Sequence, residues 1–189
     1  MKLLEERILK DGVVRPGGIL KVDSFLNHQI DAQLLYQMAL DLKNHFEGKG
    51  VNKILTIEAS GIAVATLAGY VFDCPLVFAK KSKSRNISDN IWSTKVLSFT
   101  KGITYDVVVS KEYLGSDDKV LIVDDFLASG SALTGLCDLC SQAGAEIIGC
   151  GIEIEKVFQG GGNEIRSRGI DVYSLAMIKS MSDTEIEFM

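Results

Sequence analysis

One stretch limits the possible folds more than any other: Val120-Leu121-Ile122-Val123-Asp124-Asp125-Phe126-Leu127-Ala128-Ser129-Gly130-Ser131-Ala132-Leu133. Its leading apolar run, rich in β-branched residues, has the length and make-up of a strand buried on both faces, as in a parallel sheet. The Ser/Gly loop that follows leaves backbone N–H groups free. Ser131 to Ala143 reads as a helix start and body, so the loop lies at a helix N-terminus, where an anion is stabilised. The carboxylates Asp124 and Asp125 are expected to leave the strand just before that loop. There they could reach the hydroxyls of a sugar whose phosphate the loop holds. The ligand implied is a ribose phosphate.

The rest of the chain alternates in the way such a strand requires. Asp31 is placed to cap a helix whose apolar residues Leu34, Leu35, Met38, Ala39, Leu42 and Phe46 recur at helical spacing, with Gly48 and Gly50 as the stop. Lys53 to Ile57 then reads as a strand, Ile62 to Phe72 as a helix, and Leu76 to Ala79 as a strand after Pro75. Further strands are expected near Val96 to Phe99, Tyr105 to Ser110, Lys119 to Asp124, Ile147 to Ile154 and Val172 to Met177. The pattern predicts an α/β fold, a mostly parallel sheet with helices on both faces and ligands at the carboxyl ends of the strands. At 189 residues the chain is most simply one domain, 1–189.

Composition excludes several classes. A net charge of −5 counts against a general nucleic-acid binder. The longest uncharged apolar stretch, Ala59 to Phe72, is too short and Gly-rich to span a bilayer. The opening Met1-Lys2-Leu3-Leu4-Glu5-Glu6-Arg7 lacks the apolar core of a signal peptide, so a cytoplasmic protein is expected. Cys74, Cys137, Cys140 and Cys150 are then reduced core residues, Cys137 and Cys140 forming a C-x-x-C inside the helix after the loop. With only His28 and His45, a serine-hydrolase triad or a His-rich metal centre has little to work with. Neither G-x-G-x-x-G nor G-x-x-x-x-G-K-[ST] occurs at a strand end.

A second loop of small residues, Glu58-Ala59-Ser60-Gly61, joins the strand Lys53 to Ile57 to its helix and can hold another anion. A polar, basic run, Lys80-Lys81-Ser82-Lys83-Ser84-Arg85-Asn86-Ile87-Ser88-Asp89-Asn90, reads as a mobile loop able to close over a polyanion. Near the C-terminus, Glu155-Lys156-Val157-Phe158-Gln159 puts a cationic donor beside an aromatic ring. That pair suits an oxo-purine, because an ammonium donates to exocyclic carbonyl oxygens while a ring stacks on the heterocycle. The irregular stretch Ile19 to Asp31 could roof a flat base.

The central run resembles the phosphoribosyl-diphosphate (PRPP) motif of the type I phosphoribosyltransferases. The resemblance implies that family's fold, with a small hood from the N-terminal region, about residues 1–35. It implies that Asp124 and Asp125 face the ribose hydroxyls and act in catalysis, and that Ala128, Ser129, Gly130, Ser131 and Ala132 enclose the 5′-phosphate. Ala59, Ser60 and Gly61, with Lys80 or Lys81, would hold the diphosphate. Members that take adenine often carry Arg where this chain has Ser60.

The segments Leu20 to Asp31, Ser60 to Ala63, Asp124 to Ala128 and Ile154 to Gln159 are similar to those of bacterial members that use xanthine. This likeness implies base contacts from Leu20, Asn27 and Lys156, although core packing, a turn and a surface charge would also account for those residues. It further implies Mg²⁺ held mainly by PRPP rather than by a protein cage, and a homodimer. Guanine, hypoxanthine or adenine as the acceptor, or a PRPP-sensing regulator of the same fold, are the alternatives.

Overall fold

A strand buried on both faces needs apolar side chains pointing both ways, and the strand Lys119–Leu127 shows this directly. Leu121 and Val123 pack into one hydrophobic cluster, Val120 and Ile122 into another on the opposite face, all of them fully buried. The computed structural model describes residues 1–82, 90–98, 102–182 and 185–189.

In chain order the elements are α1 (Lys2–Asp11), β1 (Val13–Arg15), β2 (Ile19–Lys21), a π-turn (Asp23–Asn27), α2 (Ala32–Phe46), β3 (Lys53–Ile57), α3 (Gly61–Phe72) and β4 (Leu76–Ser82). After them come β5 (Ile91–Ser98), β6 (Ile103–Ser110), β7 (Lys119–Leu127), α4 (Ser131–Ala143), β8 (Glu146–Lys156), a 3₁₀ turn (Val157–Gln159), α5 (Gly161–Ser167), β9 (Val172–Met181) and β10 (Ile186–Phe188). The main sheet runs β10-β9-β8-β7-β3-β4-β6-β5. Its interior pairs, β9 with β8, β8 with β7, β7 with β3 and β3 with β4, are parallel, while β10, β6 and β5 pair antiparallel at the flanks.

Local chemistry explains the best-defined helix. Asp31 caps α2 by accepting the Leu34 N–H at 3.1 Å, and the stripe Leu35, Met38, Leu42 and Phe46 is buried against the sheet. Each such fully buried side chain contributes about 1.5–3 kcal/mol. The helices α2 and α3 pack on one face and α4 on the other. Leu4 and Ile8 of α1 join the first cluster, so the N-terminal segment is packed onto the body. Among the described residues no helix is long and apolar enough to cross a membrane.

Two expectations are corrected here. The carboxylates do not leave the strand: β7 continues through both acids to Leu127, since β8 pairs with it as far as Leu127 opposite Glu155. The basic run is not wholly a loop either. Lys80, Lys81 and Ser82 belong to β4 and pair with Val108, Val107 and Asp106 of β6, whereas residues 83–89 lie outside the described residues, as does Phe99.

Candidate active site

The chain leaves β3 through α3 toward β4 on one side, and leaves β7 through α4 toward β8 on the other. Because β3 and β7 are adjacent and parallel, the N-termini of α3 and α4 open at the same end of the sheet, flanking the point where the winding reverses. Crevices at such points are where open α/β sheets take ligands.

The two loops and the acids meet there. At the start of α3, a Cβ on Gly61 would overlap Thr56 Oγ1 and come within 2.9 Å of Asp124 Oδ1, so only glycine lets this helix N-terminus lie against the acid. Thr56 Oγ1 is buried without a hydrogen-bond partner. The preceding loop, with a cis Glu58–Ala59 peptide, is tied to β4: Glu58 N–H donates to Ala79 O at 3.0 Å, and the Glu58 carboxylate accepts from Lys81 N–H. At the start of α4, Gly130 adopts φ 83°, a left-handed conformation that glycine takes without strain. No side chain caps α4, and Ser129 Oγ and Ser131 Oγ lie 3.2 Å apart, which leaves first-turn N–H groups and hydroxyls for an oxyanion.

Electrostatics separate the acids. Asp124 is buried and accepts the Asp125 N–H at 3.1 Å. Burial, then the neighbouring Asp125 charge, pushes its carboxyl well above the usual carboxylate range, partly offset by Lys81. A further acid, Glu153 on β8, is only 2% exposed and is raised by burial and then by the charges of Asp125 and Asp124. The two candidate lysines part company. Lys81 stands 5.5 Å over the Tyr105 ring and its charge acts on Asp124, while Lys80, one residue back on the pleat, stands 5.8 Å over Phe78 on the other face of β4.

A cavity of 650 Å³ adjoins the loop Ala128–Ala132. Its other walls include the hairpin turn Gly17–Gly18, Tyr105, Phe126, Lys156 and Gln159. The Lys156 ammonium donates to Gly18 O at 2.8 Å and stands 5.6 Å from the Phe126 ring centroid, and burial lowers its pKa.

The ring beside Lys156 is therefore Phe126 and not Phe158, which is 48% exposed and outside that lining. Phe126 was readable in part: it follows the two acids on β7, and its strand partner is Ile154, two before Lys156. Leu20 is 6% exposed in the core beneath the hairpin, and Asn27 is exposed at the end of the π-turn; neither is among the described residues lining this cavity. Gly18, Tyr105, Thr56 and Glu153 were missed. Of these only Glu153, an acid amid Ile152 and Ile154, carries a sequence signal.

Residues 21–164 match the phosphoribosyl transferase domain family. The chain belongs to that family. The xanthine phosphoribosyltransferase of Finegoldia magna is 55% identical over 188 residues, which span 100% of this chain and 99% of that protein. The xanthine phosphoribosyltransferase of Ligilactobacillus salivarius is 51% identical over 188 residues, 100% and 98% of the respective chains. Among solved structures, adenine phosphoribosyltransferase from Rhodothermus marinus superposes with a TM-score of 0.75 at 21% identity, over 94% of this chain and all of the other (100%). The architecture is the type I phosphoribosyltransferase fold.

Proposed function

We propose that this protein transfers the 5-phosphoribosyl group of PRPP to xanthine, releasing diphosphate and forming xanthosine 5′-phosphate. The observation that carries the reading is the convergence of two uncapped helix N-termini on one acid pair, beside a cavity that ends at Lys156. The near-complete coverage of xanthine-named relatives supports the choice of base.

In this assignment Ala128 to Ala132 hold the 5-phosphate, and Ala59, Ser60 and Gly61 hold the 1-diphosphate. Lys81 adds charge from the facing strand, and Lys80 is left to the opposite face. Lys156 donates to a purine carbonyl oxygen over Phe126, with Leu20 and Asn27 serving the hood side of the base. The C1–O bond to diphosphate breaks, and a purine ring nitrogen forms the C1–N bond from the opposite face, its proton passing to solvent. Asp124 and Asp125 orient the sugar hydroxyls. Burial and the Asp125 charge disfavour the charged form of Asp124, and positive charge growing at C1 favours it.

Magnesium fits the all-oxygen donor set of this crevice. Among the described residues no group of three or more His, Cys, Asp or Glu side chains forms a metal cage, so the ion is assigned mainly to the oxygens of PRPP. Bound there it would supply charge neutralisation to the leaving diphosphate. The protein is taken to act in the cytoplasm as a homodimer, which sedimentation would check. Exposed Phe78 and Tyr113 beside an apolar recess of 620 Å³ favour a self-associating face.

The test is turnover with PRPP, magnesium and a panel of xanthine, guanine, hypoxanthine and adenine. Xanthine is expected to give the highest kcat/KM, with adenine the poorest because its amino group meets a donor-only ammonium. A higher value for any other base would overturn the acceptor assignment.

A further inference from the structure

The short helix α5 touches both halves of the site. Its first residue, Gly161, donates its N–H to Ala128 O at 3.1 Å, and a Cβ there would overlap Gly130 N and Ala128 O of the phosphate loop. The next residue, Gly162, lies so close to the Glu155 carboxylate that a Cβ would overlap Oε1. One turn further, Arg166 forks onto Glu155, Nη1 to Oε1 at 2.7 Å and Nη2 to Oε2 at 2.7 Å, and Nη2 also reaches Val172 O at 3.1 Å. Ser174 Oγ donates to the same carboxylate.

Glu155 is 1% exposed and immediately precedes Lys156. Burial alone would push its carboxyl up, but hydrogen bonds from Arg166 and Ser174 outweigh that and hold it below the ordinary value. A buried pair of this kind adds little stability over a well-packed apolar pair, whereas a bidentate fork fixes orientation tightly. The other arginine near this helix, Arg168, pairs with Glu164 at the surface and touches neither half.

Resting on the phosphoribosyl-transfer reading, we propose that Arg166 is a positioning residue. Through Glu155 it sets Lys156 over the acceptor cavity, and through α5 and Gly161 it seats the phosphate loop, so one guanidinium holds donor and acceptor in a common register. Neither effect requires Arg166 to touch a substrate.

The experiment compares Arg166→Met, Arg166→Lys and Arg168→Ala with the unaltered protein. It measures KM for xanthine and for PRPP, kcat, thermal stability, and amide hydrogen exchange at Ala128 to Ala132 and Gly161. Arg166→Met is expected to raise both KM values together and lower kcat/KM roughly tenfold to a hundredfold. Gly161 and the loop amides should exchange faster while those of Val120 to Val123 stay slow. Arg166→Lys should recover part of the loss, since it keeps the charge but not the fork. Arg168→Ala should match the unaltered protein.

A lowered melting temperature with both KM values and loop exchange unchanged would overturn the proposal and leave Arg166 a merely structural residue. If Arg166→Met does not fold, Ser174→Ala loosens Glu155 while keeping the ion pair. It should show the same joint rise on a smaller scale, and no rise would overturn the proposal. If the unaltered protein forms no nucleotide from any base, the functional reading fails by itself, and the exchange comparison still decides the role of Arg166.

Discussion

The two ends of the crevice, proposed above for the sugar phosphate and for the base, are built on different principles. The former is one continuous segment, β7 into its loop into α4, with β7 sealed between two hydrophobic clusters. The latter is assembled from a hairpin turn, a ring on β7 and a lysine at the end of β8, segments that meet only in the folded chain. On the proposed assignment, phosphate and ribose recognition would be written locally, in backbone N–H groups and neighbouring acids, whereas base recognition would depend on tertiary juxtaposition.

The largest effect expected from breaking this division is at the acids. Asp124→Asn with Asp125→Asn should reduce kcat/KM by about 10²–10³-fold or more for every base, since the sugar is common to all. Its stability should change in a definite direction with pH. Asp124 is raised in the folded protein, so the folded state keeps a proton that the unfolded chain gives up near the ordinary Asp value, about 3.9. That contribution is fully present below the unfolded value and is lost as pH rises through the folded one. Denaturant titrations of the ligand-free protein should show this contribution fading as pH rises above the ordinary Asp value, and missing from the double variant. A steeper fall in the variant would contradict the burial and charge argument.

Next in size is Lys156→Met. It should raise KM for xanthine about 10–200-fold with little change in KM for PRPP, the loss associated with one unmatched polar contact or pocket feature. Equal losses for both substrates would blur the division between the two ends. Smallest is the aromatic pair. Phe126→Leu should weaken base binding a few-fold, in line with about 0.5–1.5 kcal/mol for a ring contact, while the exposed Phe158→Leu should leave kinetics unaltered. The reverse order would restore the sequence-based pairing of Lys156 with Phe158.

How much of this was readable before folding follows the same line. The bounds of β3 and α4 and the Asp31 cap were visible because each has an adjacent stop or capping signal. The reach of β7 beyond the acids was not, because pairing with β8 extends it through residues that resemble a loop. The element α5 and the β1–β2 hairpin are short or Gly-rich and owe their form to packing, whereas α1 went unread although Leu4 and Ile8 stand four apart on one buried face. The separation of Lys80 from Lys81 required knowing that both lie on a strand, where neighbours face opposite ways. Asp124, Asp125 and Ala128 to Ala132 lie along one contiguous segment, whereas Leu20 and Asn27 are not among the described residues that line the cavity with Lys156.

The double-sided burial of β7 has a consequence for how the molecule comes apart. Local opening begins where few apolar contacts hold a segment, and the three-residue strands Val13–Arg15 and Ile19–Lys21, each with residues facing solvent, are far more weakly anchored than the sheet's centre. Under gentle heating the hairpin carrying Gly18 should detach from Lys156 while the acids remain clamped in place. On the proposed function, discrimination among incoming bases would thereby be surrendered earlier than affinity for the phosphorylated pentose.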